Sequence, residues 1–308
     1  MSILFYSQAD DPKPWRDALA KAFSEIAFEV WPNVRDVNSV RYALVWNPPA
    51  GMLATLPNLR AVLALGAGVD SLLADPTTPQ VPVVRLVDAG LAAQMAEYAV
   101  YGVLHFHRRM GEYRRLQQDC KWKALEPVPA NRWSVGIMGT GIIGGLIARY
   151  LIALGYRVRG WSRSGTLVNG MEVFAGDEQF ESFLRGSNSV INVLPLTGHT
   201  RGILNARTFA AMPRGSYVIN IGRGGHLVES ELLDALESGQ IAGAMLDVFN
   251  EEPLPASSPL WTHPDVVITP HVAGVTIAAE AEAQVVANIR RMEQGELPIG
   301  IVDRAKGY

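Results

Sequence analysis

The sequence predicts an α/β fold with two domains, each built on a parallel sheet covered on both faces. The chain has 308 residues, 48% of them hydrophobic, and this length favours two domains over one. Short apolar segments alternate with helical or looped segments, as in doubly wound parallel sheets. A glycine-rich turn between an apolar strand and a helix lies near the middle of the chain.

The first 86 residues contain five predicted strands, at residues 3–6, 27–30, 42–46, 61–65 and 83–85. The fourth is followed by small residues, which include Ala67, Gly68 and Val69. At the carboxyl end of a parallel strand, small residues leave backbone N–H groups free to bind an anion. The same residues suit an ordinary tight turn, so spacing alone leaves both interpretations open.

One long helix is predicted over residues 92–115, with an apolar face formed by Met95, Ala99, Val103 and Phe106. Its length suits a connector between domains. Its final arginines match the negative end of a helix dipole and need no ligand. His105 and His107 are two residues apart and therefore lie on different faces, which makes them a poor metal pair. We expect no metal site.

The glycine-rich turn follows a predicted strand at residues 135–138 and consists of Gly139, Thr140, Gly141, Ile142, Ile143 and Gly144. Its G-x-G-x-x-G pattern is typical of dinucleotide-binding, Rossmann-like domains. Gly139 permits the tight turn, Gly141 lets a pyrophosphate approach the backbone, and Gly144 lets helix and strand pack closely. The helix that follows is predicted to end at Gly155 and to have an apolar face of Ile143, Ile147, Leu151 and Leu154.

The next predicted strand, residues 156–161, leads into Ser162, Arg163 and Ser164. Folds that prefer NAD usually place an acidic residue here to bind the ribose 2′-hydroxyl. An arginine between two serines instead offers positive charge and hydrogen-bond donors to a 2′-phosphate. We therefore predict NADPH as the cofactor, with weaker use of NADH. The alternative is that Arg163 is an ordinary solvated arginine.

Further strands are predicted at residues 189–194, 217–221, 244–248 and 266–269, with helices at 178–185, 205–212, 229–238 and 277–294. Three polar residues follow successive strands of this series: Arg223, Glu252 and His271. Because the carboxyl ends of parallel strands meet at one edge of a sheet, we expect these residues to converge.

This trio fits the reduction of a ketone by hydride transfer. Histidine is the natural donor of a proton to the forming alkoxide, and a neighbouring carboxylate orients the ring and favours its protonated form. An arginine can bind a substrate carboxylate and polarise its carbonyl. Each residue also has an alternative role: Arg223 in an ion pair or at a phosphate, Glu252 as a surface acid, His271 as a loop histidine.

The chain resembles the D-isomer-specific 2-hydroxyacid dehydrogenase family over nearly its whole length, and most closely its glyoxylate/hydroxypyruvate reductase branch. The resemblance lies in residues 42–49 (YALVWNPP), 64–70 (ALGAGVD), 139–144, 161–163 (WSR), 220–224, 243–250 (GAMLDVFN) with the Glu252 and Pro253 that follow, 269–273 (TPHVA) and the tail 302–308. Small departures at Thr140 and at Gly198 and His199 affect only fine cofactor contacts.

The resemblance implies roles for individual residues. The catalytic arginine, glutamate and histidine of the family correspond to Arg223, Glu252 and His271. Its carboxylate-binding backbone loop corresponds to Ala67, Gly68 and Val69, and Trp46 corresponds to a residue that lines the substrate pocket. We also expect cofactor contacts from Leu194, Pro195, Thr200, Ile221, Gly222, Asp247 and Ala273.

The resemblance also implies a substrate-binding domain from both chain ends, residues 1–96 and 276–308, a dinucleotide-binding domain at 97–275, and a homodimer. The expected reaction is NADPH-dependent reduction of glyoxylate to glycolate and of hydroxypyruvate to D-glycerate. Two rivals stay open: a reductase of bulkier acids such as phenylpyruvate, and a non-catalytic dinucleotide-sensing interaction protein.

The charge, the cysteine content and the apolar segments of the sequence indicate which binding partners and which cellular compartment to expect. The net charge of -3 and the absence of like-charge blocks give no support for a nucleic-acid partner. Cys120 is the only cysteine, which fits a reducing compartment. The sequence starts with an apolar strand rather than a signal peptide and contains no apolar run that could span a bilayer. We therefore expect a cytoplasmic protein without a membrane partner.

Overall fold

The computed structural model describes residues 1–8 and 10–307 and confirms the α/β fold with two parallel sheets. The chain divides into two compact units. The terminal unit comprises Met1–Gly90 and Thr276–Tyr308, and the central unit comprises Leu91–Val275. The first boundary between the two units therefore follows Gly90, whereas the sequence predicts it after residue 96. Tyr308, the last residue of the tail that carries part of the family resemblance, lies outside the described residues.

The described residues form twelve strands and nine α-helices. The strands are β1 (Ser2–Tyr6), β2 (Ala27–Val30), β3 (Val40–Val45), β4 (Ala61–Ala64), β5 (Val83–Val84), β6 (Ser134–Met138), β7 (Arg157–Ser162), β8 (Met171–Ala175), β9 (Ser189–Asn192), β10 (Ser216–Asn220), β11 (Ile241–Leu246) and β12 (Val266–Ile268). The helices are α1 (Pro12–Ala22), α2 (Asp70–Ala74), α3 (Leu91–His107), α4 (Met110–Gln118), α5 (Ile142–Ala153), α6 (Phe180–Arg185), α7 (Ala206–Ala211), α8 (Glu229–Glu237) and α9 (Ala278–Glu293).

The terminal unit contains a sheet with the strand order β2-β1-β3-β4-β5, in which neighbouring strands are parallel. Successive side chains of β1 enter different hydrophobic clusters: Leu4 belongs to one and Phe5 to the other, and both are buried. Because side chains alternate across a strand, both faces of this sheet are covered.

The central unit contains a seven-stranded sheet with the order β12-β11-β10-β9-β6-β7-β8, again with parallel neighbours. Ile137 and Met138 of β6 are fully buried in different clusters, so this sheet is also covered on both faces. The strand order reverses between β6 and β9. In open α/β sheets ligands bind outside the carboxyl ends of the strands at such a reversal.

The predicted single helix over residues 92–115 is wrong, because the chain forms two helices, α3 and α4. Between them Arg109 has a left-handed backbone with φ of 57°. Its guanidinium donates to both carboxylate oxygens of Glu112, at 2.6 and 2.5 Å, and stabilises the bend. Amphipathic spacing continues through both helices, so the periodicity of the sequence does not reveal the break.

Two smaller predictions about the central unit also need correction. The sequence does not predict β8: most residues of this edge strand, which pairs only with β7, are partly exposed, so it lacks a strong apolar pattern. Leu154, predicted on the apolar face of α5, is 49% exposed and lies at the C-terminal cap. Ile147 and Leu151 of that face are fully buried, and Gly155, with φ of 85°, ends the helix as predicted.

Candidate active site

The glycine-rich turn lies between β6 and α5 and forms a backbone cradle at the start of a helix. Gly139 has φ of 102°, a conformation that favours glycine. A Cβ atom on Gly144 would lie 1.8 Å from the carbonyl oxygen of Gly139, so a side chain does not fit there. No heavy atom of the described residues beyond its chain neighbours lies within 4 Å of the Cβ position of Gly141. This open space beside helix N–H groups fits a pyrophosphate.

The loop after β7 is linked to this cradle by a hydrogen bond between two hydroxyl groups. Thr140 Oγ1 donates to Ser162 Oγ at 2.9 Å, and Ser162 Oγ also accepts from the N–H of Gly165 at 3.0 Å. The neighbouring residues Arg163 and Ser164 are exposed. The structure therefore places a cation and two hydroxyl groups at the C-terminal end of β7, where the sequence has no acidic residue.

The loops after β9 and β10 are joined by His226, a fully buried residue for which the sequence predicts no role. The N–H of Arg223 donates to His226 Nδ1 at 3.0 Å. The other ring nitrogen, Nε2, lies 3.2 Å from the carbonyl oxygen of Pro195 and is left as the donor to it. Only the packing of the two loops reveals this role, because a lone histidine has no sequence signal.

Hydrogen bonds within the same two loops fix several of the expected contact residues. The hydroxyl of Thr200 donates to the carbonyl oxygen of Pro195 at 2.7 Å, and the guanidinium of Arg223 donates to the carbonyl oxygen of Gly222 at 2.8 Å. Ile221 is 2% exposed, which leaves mainly its backbone available to a ligand.

His271 and Glu252 form a hydrogen-bonded pair. His271 Nδ1 lies 2.7 Å from Glu252 Oε2, and Glu252 Oε1 accepts from the N–H of Phe249 at 2.9 Å. The side chains of His271 and Glu252 are 39% and 37% exposed. Among the described residues, Nε2 of His271 makes no hydrogen bond, so this atom is available to a substrate. The positive charge of Arg223 is one of the influences that lower the pKa of Glu252.

Asp247 holds the loop that carries His271. Asp247 is 1% exposed, and its Oδ1 accepts from the Thr269 hydroxyl at 2.6 Å and from the N–H of Val272 at 2.8 Å. Its Oδ2 accepts from the N–H of Ala273 at 2.9 Å, and its carbonyl oxygen accepts from the N–H of His271 at 2.8 Å. The predicted cofactor contact Asp247 thus has its carboxylate inside the loop, where it orients the histidine.

Glu252 retains its negative charge at a lower pH than an ordinary glutamate does. Partial burial alone raises the pKa of Glu252, but the hydrogen bonds from His271 and from the N–H of Phe249 oppose it. Together with the charges of His271 and Arg223, these bonds outweigh burial, and the pKa is lowered. The partner of His271 is therefore a carboxylate at neutral pH.

This lowered pKa predicts a pH-dependent effect of Glu252→Gln on stability. A carboxyl group whose pKa is lower in the folded state contributes stability above its unfolded pKa, and the contribution disappears as pH falls through the folded pKa. We expect Glu252→Gln to lower Tm modestly at neutral pH, and the difference to vanish in acid. Thermal unfolding across the acid range checks this, with exposed Glu251→Gln as the control. A Tm difference that is constant with pH would contradict the prediction.

In the terminal unit, the predicted anion-binding loop lies between β4 and α2. Among the described residues, the N–H groups of Ala67, Gly68 and Val69 donate to no backbone carbonyl. Trp46 follows β3, and a Cβ atom on Gly66 would lie 2.4 Å from its ring, so glycine allows the indole to pack against the start of the loop. The unit therefore presents three backbone donors at the carboxyl end of a strand.

The geometry of the central unit agrees with a comparison to known families. A profile described as the NAD binding domain of D-isomer specific 2-hydroxyacid dehydrogenases matches residues 100–273. The chain belongs to this family. The resemblance inferred from the sequence is therefore confirmed, and the glycine cradle at the start of α5 fits the dinucleotide that such a domain binds.

Several known proteins match this chain over its whole length. Proteins named glyoxylate/hydroxypyruvate reductase A from Yersinia enterocolitica and Escherichia fergusonii are 45% and 46% identical to it over alignments of 314 residues that cover both chains completely. A family member from Xanthobacter autotrophicus Py2, solved with NADPH and MES, has a TM-score of 0.95 at 42% identity. The NADPH-dependent glyoxylate/hydroxypyruvate reductase from Sinorhizobium meliloti, solved with NADP and sulfate, has a TM-score of 0.92 at 36% identity. Both comparisons cover 100% of this chain and 99% of the other.

Two kinds of feature are absent from the residues that the structure describes. Across residues 1–8 and 10–307, no helix combines the length and the apolar composition that a membrane crossing requires. Within the same residues, no group of three or more His, Cys, Asp or Glu side chains is placed to hold a metal ion.

Proposed function

We propose that this protein is an NADPH-dependent reductase of small 2-oxo acids, which converts glyoxylate to glycolate and hydroxypyruvate to D-glycerate. The observation that carries this proposal is the 2.7 Å hydrogen bond between His271 and Glu252, formed close to Arg223 in the unit that contains the glycine cradle. Relatives named glyoxylate/hydroxypyruvate reductase A support the choice of substrate.

Reduction of a 2-oxo acid forms one C–H bond and one O–H bond at the carbonyl group. The reduced nicotinamide supplies the hydride for the C–H bond when the cofactor is bound. We assign the proton for the O–H bond to Nε2 of His271, which makes no hydrogen bond among the described residues. The Nδ1–H of His271 donates to Glu252, whose carboxylate fixes the orientation of the ring.

We assign the orientation of the substrate to Arg223. A planar guanidinium can donate two hydrogen bonds to a carboxylate and place positive charge near the adjacent carbonyl oxygen. The hydrogen bonds from Arg223 to His226 and Gly222 hold its backbone and side chain. In the terminal unit, we assign carboxylate binding to the N–H groups of Ala67, Gly68 and Val69 and a pocket-lining role to Trp46. The terminal unit is thus proposed as the substrate-binding unit.

We assign dinucleotide binding to the central unit. The proposed contacts are Gly139, Thr140, Gly141, Ile142, Ile143, Gly144, Ser162, Arg163, Ser164, Leu194, Pro195, Thr200, Ile221, Gly222, Asp247 and Ala273. The pyrophosphate is assigned to the cradle at the start of α5, and the 2′-phosphate to Arg163 with its two flanking serines. The structures of relatives with NADPH or NADP support NADPH as the cofactor.

Replacing Arg163 with aspartate is expected to raise KM for NADPH by about 10- to 100-fold, because charge-assisted hydrogen bonds to the 2′-phosphate are replaced by repulsion. KM for NADH, which lacks that phosphate, should stay the same or fall. Steady-state kinetics with both cofactors check this, and Arg157→Asp at the exposed start of β7 is the matched control. If the substitution changed KM for NADPH and KM for NADH equally, Arg163 would not contact the 2′-phosphate.

We further propose a homodimer in the cytoplasm. The family resemblance supports the dimer, and the single cysteine, Cys120, fits a reducing compartment. The net charge of -3 gives no support for a nucleic-acid partner.

The proposed activity is tested by the loss of NADPH absorbance with glyoxylate, hydroxypyruvate or phenylpyruvate, each repeated with NADH. Rapid NADPH loss with the two small acids, and slower loss with phenylpyruvate or NADH, is the expected result. Faster turnover of phenylpyruvate would make this a reductase of bulky acids. If the protein bound the dinucleotide but reduced none of these acids, the result would favour the alternative of a non-catalytic, dinucleotide-sensing interaction protein.

A further inference from the structure

The loop that carries His271 is connected to α3 by a chain of hydroxyl groups that the proposed mechanism does not use. The Tyr98 hydroxyl on α3 lies 2.6 Å from Thr269 Oγ1, and the Thr269 hydroxyl donates to Asp247 Oδ1 at 2.6 Å. An ionised carboxylate only accepts hydrogen bonds, so the proton of Thr269 points to Asp247. Tyr98 is therefore the donor to Thr269. Each hydroxyl group in this series of hydrogen bonds donates toward Asp247.

The surroundings of Tyr98 keep its hydroxyl protonated, so that it stays a hydrogen-bond donor to Thr269. Burial raises the pKa of Tyr98 to about 12, and although the bond to Thr269 opposes this increase, the charge of Asp247 adds to it. The tyrosine hydroxyl therefore keeps its proton across the neutral range. Asp247 is buried, and its carboxylate accepts hydrogen bonds from the Thr269 hydroxyl and from two backbone N–H groups of the loop.

The backbone of His271 needs such support. Its φ of 57° lies in the left-handed region, which is unfavourable for residues other than glycine. The N–H of His271 donates to the carbonyl oxygen of Asp247, and the N–H groups of Val272 and Ala273 donate to the Asp247 carboxylate. Asp247 thus contacts the chain on both sides of the strained residue, and its own position depends on Thr269.

We propose that Tyr98 is a positioning residue for the reaction: through Thr269 and Asp247 it holds His271 in the conformation that directs the ring to Glu252. This inference rests on the proposed function, because it requires His271 to act on the substrate. Tyr98 acts only through Thr269 and Asp247, and the effect depends on the hydrogen bond that its hydroxyl donates to Thr269.

The kinetic test compares Tyr98→Phe and Thr269→Val with two controls. We expect kcat for glyoxylate to fall about fivefold in Tyr98→Phe and about tenfold in Thr269→Val, with KM for NADPH unchanged. The double variant should lose no more than Thr269→Val alone, because both substitutions interrupt one chain. Thr269→Ser keeps the hydroxyl and should restore activity. Tyr101→Phe, one turn along α3 and 54% exposed, should leave kcat unchanged.

A second measurement does not depend on turnover. Hydrogen exchange by mass spectrometry over residues 269–275 reports on the N–H groups held by Asp247, and it should be faster in Tyr98→Phe than in Tyr101→Phe. Unchanged exchange in Tyr98→Phe overturns the proposal whatever the activity. Faster exchange with an unchanged kcat also overturns it, because Tyr98 is then only structural. Faster exchange in a protein that reduces no 2-oxo acid supports the link to the loop and rejects the proposed function separately.

Discussion

Replacing His271 with alanine is expected to lower kcat for glyoxylate reduction by about 10²- to 10⁴-fold, the range that general acid catalysis supplies. Hydride transfer to the carbonyl carbon leaves negative charge on oxygen, and His271 Nε2 is the proposed donor that neutralises it. NADPH binding should change little, because the proposed contacts to its phosphates come from the cradle at the start of α5 and from the loop after β7.

The His271→Ala experiment combines steady-state kinetics with a direct titration of NADPH by fluorescence. His263→Ala is the matched control, since His263 lies in the same unit and its Nδ1 accepts only a local hydrogen bond, from the N–H of Asp265. This control should retain wild-type kcat. If His271→Ala lost NADPH affinity and kcat to the same extent, the histidine would be a binding residue and not the acid.

Arg223→Gln is expected to lower kcat/KM for glyoxylate by about 10²- to 10³-fold, as does removal of one preorganised donor from other oxyanion sites. The variant loses both the charge that polarises the carbonyl and the paired donors for the carboxylate. Arg223→Lys restores the charge but not the planar, bidentate geometry, so it should recover only part of the activity.

The arginine experiment measures kcat/KM for Arg223→Gln, Arg223→Lys and Arg207→Gln. Arg207 lies exposed on α7 and serves as the matched control for removing one positive charge from the central unit. If Arg223→Gln and Arg207→Gln had equally small effects, Arg223 would act only as one positive charge of the central unit and not through a contact with the substrate. Full activity in Arg223→Lys would contradict the bidentate contact.

The parts of this protein that could be predicted from its sequence depend on local geometry or on strand order. The dinucleotide cradle is local, because a strand, a glycine turn and a helix adjoin one another in the chain. Arg223, Glu252 and His271 are distant in sequence but follow successive strands, and the rule that parallel strands end at one edge brings them together. The 2.7 Å hydrogen bond between His271 and Glu252 agrees with that rule.

The features that could not be predicted depend on tertiary packing. Tyr98 meets Thr269 across 171 residues of sequence, and His226 joins two loops from a fully buried position. Neither residue belongs to a motif that has a spacing of its own. The break at Arg109 leaves the helical periodicity nearly intact, and the edge strand β8 lacks the strong alternation of a half-buried strand. Such features become visible only when hydrogen-bond partners are known.

The most direct test of the assignment of His271 as proton donor is the rate of NADPH oxidation in single turnovers with saturating glyoxylate, from about pH 6 to about pH 10. We predict that the wild-type rate falls on the alkaline side, because general acid catalysis requires a proton on the donor, and that the small residual rate of His271→Ala shows no such fall. A wild-type rate that is constant across this range, or an alkaline fall that persists in His271→Ala, would contradict the assignment.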